Sequence, residues 1–369
     1  MRVLVMPDKF KGTLTSDQAA RAIVRGLRRA WPQARFTTQT LADGGEGFAS
    51  ALVRATGGTM RRGASVDAAG RACRAAWGWL GDGGTAVFDL ATASGLAQLP
   101  ASLRDPRRTS TLGSGIQLRK AIAAGAKKVI VGLGGSATND GGIGLASALG
   151  WKFLDRRGDE IAATGAGLLQ LDRILAPKAK PRVRIVAASD VDNPLFGRRG
   201  AAFQFAPQKG ADVPTVRELD RGLRRLARIA ERDLGRDCAR IPGAGAAGGC
   251  GFGLMTFFDA RLESGFDILR RETHLDALLR EHDLVVTGEG AFDITSLAGK
   301  APYRLAQLAA KLRVPVWGLF GRIAVPAAKL PFARATALVE RDDAALAAVD
   351  SSEHARRLAR AAYDLARNG

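Results

Sequence analysis

No Cys-x-x-Cys pair occurs in this sequence, and its three cysteines, Cys73, Cys238 and Cys250, stand far apart. That excludes a disulfide framework and a zinc ribbon, and it predicts a reducing, cytoplasmic setting. Long apolar runs are missing as well. The longest charge-free stretch of interest, Gly243–Phe258, is glycine-rich and falls short of the roughly 20 residues that a spanning helix needs. No leader segment is expected, because Asp8, Lys9 and Lys11 interrupt the apolar "RVLVM" at once. Aromatic residues are scarce, at 6%, and they do not interleave with basic residues as in a nucleic-acid platform. Gly-x-Ser-x-Gly is absent, which removes a serine hydrolase, and Gly-Lys-Ser/Thr is absent, which removes an ordinary P-loop. The three histidines, His274, His282 and His354, share no motif with a nucleophile and read as structural, His354 on a basic surface helix. Oxygen ligands remain, and Mg²⁺ is the metal they suit.

What is present is an ordinary globular composition, 46% hydrophobic, over 369 residues, enough for two α/β domains. Lys and Arg number 55 against 36 acids, a formal charge of +19. A nucleic-acid binder has to be weighed on that figure. The excess, however, is mostly arginine on outer helix faces. In the helix that runs into "RGLRRLARIAERDLGRD", Leu219, Leu223, Leu226 and Ala230 share one face and the arginines take the others, and "EHARRLARAAYDLARNG" repeats the pattern. The charge is read as solvated surface that helps attract anionic substrates, with no nucleic-acid and no membrane partner expected.

Strand-like runs recur at Val3–Met6, Phe36–Leu41, Ala86–Leu90, Val129–Leu133, Val183–Ala188, Leu284–Thr287, Val314–Phe320 and Ala335–Val339, with helical patterns between several of them. Thr15 and Gln18 form a capping-box pair opening a helix that Pro32 stops. Alternation of this kind predicts parallel sheets and the α/β class. Pro/Gly/Arg clusters stand near Arg61–Gly63 and Leu99–Arg108, and "LPASLRDPRRTS" reads as an irregular loop entering a helix.

Polar, glycine-rich motifs follow five of these strands, where open α/β sheets collect ligands. "MPDKFKG" places Lys11 and Gly12 before a helix start suited to an anion. In "LADGGEG", Asp43 and Glu46 flank Gly44 and Gly45, and carboxylates there suit Mg²⁺ or a substrate hydroxyl. "VGLGGSATNDGG" offers Gly134, Gly135, Ser136, Thr138, Asn139, Asp140 and Gly141 without a lysine. Its Gly132-x-Gly134-x-x-Ala137 also fits a dinucleotide turn, with Asp155 about 20 residues on, so an NAD(P)-dependent oxidoreductase with a βαβ unit from Val129 to Asp155 is the rival. "SDVDNPLFG" and "PQKGA" bring Asp190, Asp192, Asn193, Gln208 and Lys209, a set suited to a general base with Mg²⁺ near it. In "TGEGAFDITSLAGK", Glu289 and Asp293 precede Lys300 at a helix start, where a point charge neutralises a phosphoryl group.

Taken together, "PDKFKGTL", "ADGGEG", "GGSATNDGG", "DVDNPLFG", "PQKGA", "PGAGAAGG", "TGEGAFD" and "GKAP", in this order and across nearly the whole chain, closely resemble the bacterial type I glycerate kinase family. The resemblance implies a flavodoxin-like parallel-sheet domain formed by both chain ends (1–65 and 280–369), an inserted second α/β domain (66–279), and an active site in the cleft between them. It implies ATP-dependent phosphorylation of D-glycerate, at the 2-hydroxyl, by a monomer or homodimer. Carried onto this sequence, Asp190, Asp293, Lys300 and Asp43 are catalytic, with Asp190 first choice as base. Lys11, Gly44, Gly45, Glu46, Asn193, Gln208 and Lys209 bind the acceptor, the Gly134–Gly141 loop and Glu289 bind ATP, and Asp140 and Asp190 are the candidate Mg²⁺ ligands. Two positions depart from the family pattern. Ala291 stands where the resemblance has an arginine, for which neighbouring basic residues such as Arg322 are expected to compensate, and Thr295 where it often has a glutamine.

Overall fold

The structure is a computed structural model that describes residues 1–10, 12–42, 44–297, 299–339 and 350–368. Among these, the strands in chain order are β1 (Arg2–Val5), β2 (Arg35–Thr38), β3 (Thr59–Val66), β4 (Ala72–Trp79), β5 (Thr85–Asp89), β6 (Lys128–Gly132), β7 (Lys152–Leu154), β8 (Arg173–Leu175), β9 (Arg184–Ala188), β10 (Arg261–Glu263), β11 (Leu284–Phe292), β12 (Val316–Ile323) and β13 (Arg334–Ala337). All eight expected strands are found, and the chain divides into two compact units, Met1–Asp43 with Leu269–Gly369, and Gly44–Ile268.

The unit made from both chain ends holds a parallel sheet in the order β13-β12-β11-β1-β2. Counted along its own strands this is 2-1-3-4-5, the flavodoxin-like order. The apolar strand β1 is an inner strand, flanked by β11 and β2, and Val3, Leu4 and Val5 are fully buried. Helix Ser16–Ala30 begins with the expected capping box at Thr15 and Gln18. It buries Ile23 and Leu27 in one core with Leu284, Val286, Leu319 and Leu358. Leu358 belongs to helix Ser351–Arg367, whose backbone comes so close that a Cβ on Gly26 would lie 2.0 Å from the Ala359 oxygen.

That last helix corrects one reading. His354 is buried at 2% exposure instead of lying on the surface, edge-on to Phe10 at 5.5 Å, and neither ring nitrogen has a hydrogen-bond partner among the described residues. Burial, aided by Arg357, holds its pKa below the ordinary histidine value. The native state therefore keeps the ring neutral, while the unfolded chain takes up a proton as pH falls through about 6.5. Stability present above that pH is lost below it. His354→Leu should remove this part of the acid sensitivity, so urea midpoints of parent and variant measured from pH 7 to 5 should diverge. Parallel decline would contradict the assignment.

The Gly44–Ile268 unit is a six-stranded sheet in the order β10-β9-β6-β5-β4-β3. Strands β10, β9, β6 and β5 are parallel, and β4 and β3 extend it antiparallel. Two expectations change here. The boundary set at 65/66 moves to 43/44, because helix Phe48–Ala55 and β3 pack with β4 and β5 of this unit, and the boundary at 279/280 moves to 268/269. The Arg61–Gly63 cluster is the middle of β3, an edge strand with mostly exposed residues and two arginines. Charge on an edge strand blocks edge-to-edge pairing, and it also conceals the strand from a hydrophobic pattern.

The dinucleotide reading fails on topology. Strand β7, which should have closed a βαβ unit from Val129 to Asp155, lies in a separate two-stranded sheet and pairs antiparallel with β8. Asp155 caps the turn after β7, accepting from the Arg157 and Asp159 amides.

Candidate active site

In the Gly44–Ile268 unit three motifs meet beyond the carboxyl ends of β5, β6 and β9. The Gly134 amide donates to the Gly44 oxygen at 3.2 Å, and a Cβ on Gly134 would sit 2.5 Å from the Gly45 Cα. Gly44 in turn rests on Ala188, the last residue of β9, just before Asp190. Asp89, at the end of β5, fixes this turn by accepting from the Gly47 and Ala49 amides at 2.9 Å each. Asp89 was missed in the sequence, although a lone acid ending the apolar run "AVFDL" was a signal for it.

The glycine-rich loop after β6 is held from several sides. Ala137 donates to the Ser94 oxygen and accepts from Thr109 Oγ1, and Gly135 accepts from the Leu96 amide, each at 2.9 Å. Thr138, Asn139 and Asp140 are fully buried. Asp140 Oδ2 accepts from the Thr111 amide and hydroxyl at 2.8 Å and from Gly144 N at 3.2 Å, and Oδ1 accepts from Gly142 N at 3.1 Å. Burial pushes the Asp140 pKa up against these donors. The carboxylate acts as a cap for helix Ile143–Ser147, with no solvent-facing oxygen, which does not fit the expected Mg²⁺ ligand. Among the described residues no three His, Cys, Asp or Glu side chains converge on a cation site. Thr138 Oγ1 and both amide atoms of Asn139 are buried without a partner among the described residues. The part of the loop open to a ligand is Gly134, half-buried, and Gly135, exposed.

Gly248, from "PGAGAAGG", packs beneath the loop. Its φ is +67°, and a Cβ there would lie 1.9 Å from the Thr138 oxygen and 2.7 Å from the Asn139 Cα. Left-handed strain and overpacking combine, so Gly248→Ala should lose about 2–5 kcal/mol in urea denaturation. A loss below about 1 kcal/mol would mean that the loop does not rest on this glycine.

Of the remaining candidates in this unit, Glu46, Asp190 and Gln208 are exposed, and Asn193 is half-buried with Nδ2 donating to the Arg199 oxygen at 2.7 Å. Lys209 is buried. Lys11 and Asp43 lie outside the described residues.

In the unit made from both chain ends, the motifs fall at the carboxyl ends of β1 and β11, neighbouring strands at the topological switch point of the sheet. The Asp8 amide donates to the Gly288 oxygen at 2.8 Å. Lys300 is the N-cap residue of helix Ala301–Lys311, and its Nζ lies 3.5 Å from Glu289 Oε2 and 3.7 Å from Asp293 Oδ1. Burial raises the Glu289 pKa, with Lys300 opposing. Asp293 is held below the usual carboxylate range, first by the Thr295 hydroxyl and further by Lys300. Thr295 thus has a definite task, donating to Asp293 Oδ1 from its amide at 2.8 Å and its hydroxyl at 2.5 Å. Ala291 is in register with Arg322 on the adjacent strand β12, so a guanidinium side chain stands one strand away from the alanine.

Strand-end glycine loops and a lysine set between two acids at a helix start define an α/β enzyme that handles anions. The chain belongs to the glycerate kinase family, whose model matches residues 3–368, and it is therefore an enzyme of the kinase class. It is 43% identical over 324 residues to the glycerate kinase of Halalkalibacterium halodurans, covering 87% of this chain and 85% of that one. It is 41% identical over 326 residues to the glycerate 2-kinase of Escherichia coli, covering 88% and 86%. A crystal structure of a Salmonella typhimurium chain assigned as glycerate kinase 2 superimposes with a TM-score of 0.86 at 36% identity, covering 100% of this chain and 98% of that one.

Proposed function

We propose that the enzyme transfers the γ-phosphoryl group of ATP to D-glycerate at the 2-hydroxyl, giving 2-phosphoglycerate and ADP. The observation that carries this reading is the Lys300 ammonium, fixed at a helix start between Glu289 and Asp293 beyond the carboxyl ends of β11 and β1. Phosphoryl transfer needs positioning and charge neutralisation more than covalent participation by the protein. Lys300, with the amides of its helix start, meets charge that grows on the transferring group, and Arg322 adds a second cation beside Ala291. The Gly134–Gly135 amides offer further donors to phosphate oxygens. Gly44, Gly45, Glu46, Asn193 and Gln208 orient the acceptor, together with Lys11 and Asp43.

Asp190 is the general base on the acceptor hydroxyl. It is exposed at a strand end, and Asp293, held below the usual carboxylate range by Thr295 and Lys300, is the weaker base. Mg²⁺ enters with the nucleotide as the Mg·ATP substrate, where it neutralises phosphate charge. The enzyme acts on small molecules in the cytoplasm, as a monomer or homodimer, and no described helix is long and apolar enough to cross a membrane.

The test is ATP consumption with D-glycerate, L-glycerate, tartronate and glycolate, followed by ³¹P NMR of the product. A 2-phosphate of D-glycerate supports the reading. A 3-phosphate overturns the position, and no turnover with any of the four overturns the reading itself.

A further inference from the structure

Lys209 carries an inference beyond this assignment of roles. It ends the single turn Pro207–Lys209, and only 2% of its surface is exposed. Its Nζ donates to Ser136 Oγ at 2.9 Å and to the Thr138 oxygen at 2.7 Å. The turn itself is pinned: Gly210 has φ +99°, and a Cβ there would lie 2.3 Å from the Arg104 oxygen. The amine therefore approaches the loop from a fixed base, and it joins segments more than 70 residues apart in the chain. The residues it grips directly follow Gly134 and Gly135, the part of the loop that a ligand can reach. The ammonium is withdrawn from the surface and turned into the loop.

We propose that Lys209 is a positioning residue for the nucleotide, a buried tether that holds Ser136 and Thr138 so that the Gly134–Gly135 amides face the phosphates, and not a ligand of the acceptor carboxylate. The surroundings agree. The charged and titratable groups that bear on the amine are Asp140 of the same loop and Cys250 of helix Ala246–Phe258. Burial brings the Lys209 pKa down to about 7, with Asp140 opposing, as befits an amine withdrawn from water.

The proposal rests on the kinase reading, and the experiment separates the two. Isothermal titration of ATP and ADP into the full-length parent comes first, because nucleotide binding needs no knowledge of the acceptor. A parent that binds neither overturns the kinase reading. With a binding parent, Lys209→Met should weaken ATP about tenfold or more and raise the KM for ATP in parallel, while the KM for D-glycerate changes less than threefold. Lys209→Arg, which keeps two donors, should recover part of the loss. Ser136→Ala removes one of the two tethers and should give a smaller change of the same kind, which keeps the proposal testable if the Met variant does not fold. A raised KM for D-glycerate with unchanged ATP affinity overturns the proposal in favour of a carboxylate ligand. Lower thermal stability with both affinities unchanged overturns it in favour of a core strut.

Discussion

Lys300→Met should give a folded protein whose kcat with ATP and D-glycerate is lower by about 10²–10³, the usual cost of removing one preorganised donor from developing charge. The side chain is a third exposed and sits at a helix start, so its truncation does not empty a core. What it leaves behind is Glu289, a buried carboxylate without its cation. Part of any stability loss should therefore vanish in the double variant Lys300→Met, Glu289→Gln, whereas the catalytic loss should persist. Arginine at 300 should restore charge with different reach and so recover only part of the rate. Steady-state kinetics on protein with an unchanged circular dichroism spectrum decides the matter. A fall in kcat smaller than tenfold would remove Lys300 from the phosphoryl site.

Asp190→Asn should lower kcat by about 10²–10⁴, the range for loss of a general base, with little change in either KM. The residue is exposed and the amide is nearly isosteric, so folding should be unaffected. Asp293→Asn is the comparison that matters. Its carboxylate is already occupied in holding Thr295 and Ser296, so the variant should disturb the loop before Lys300 and raise the KM for ATP more than it lowers kcat. If the two variants exchange these behaviours, the base is Asp293.

The strand-end motifs and the α/β class were legible because both rest on local pattern. Eight apolar runs became eight strands, and Thr15 and Gln18 made the capping box they spelled. The hairpin of β3 and β4 was hidden because an edge strand carrying Arg61 and Arg62 has no apolar period to read. Strands β8 and β10, of three residues each, were too short to stand out, and β7, equally short, was read as the close of a βαβ unit because its antiparallel partner β8 was not seen. At the site, residue type and position could be read but side-chain direction could not. Asp140 turns inward because the Thr111 amide and hydroxyl, 29 residues away in the chain, meet it there together with the Gly142 and Gly144 amides, and the long-range half of that set is nothing a motif can announce. The burial of Lys209 could not be read for the same reason, since burial of an amine is a property of the packed loop and not of "PQKGA". Asp89 acts across 40 residues of chain, on Ala49.

The order β13-β12-β11-β1-β2 has a consequence for synthesis. β1 leaves the ribosome first and can pair at once with β2, but its other neighbour, β11, follows the whole Gly44–Ile268 stretch. At about 5–20 residues per second that interval is on the order of ten seconds or more. Throughout it, Val3, Leu4 and Val5, fully buried in the finished sheet, form one open edge of a nascent two-stranded ribbon. The later unit in sequence can complete its fold before the earlier one. That edge is prone to wrong pairing, so the yield of active protein should depend on how long it stays covered.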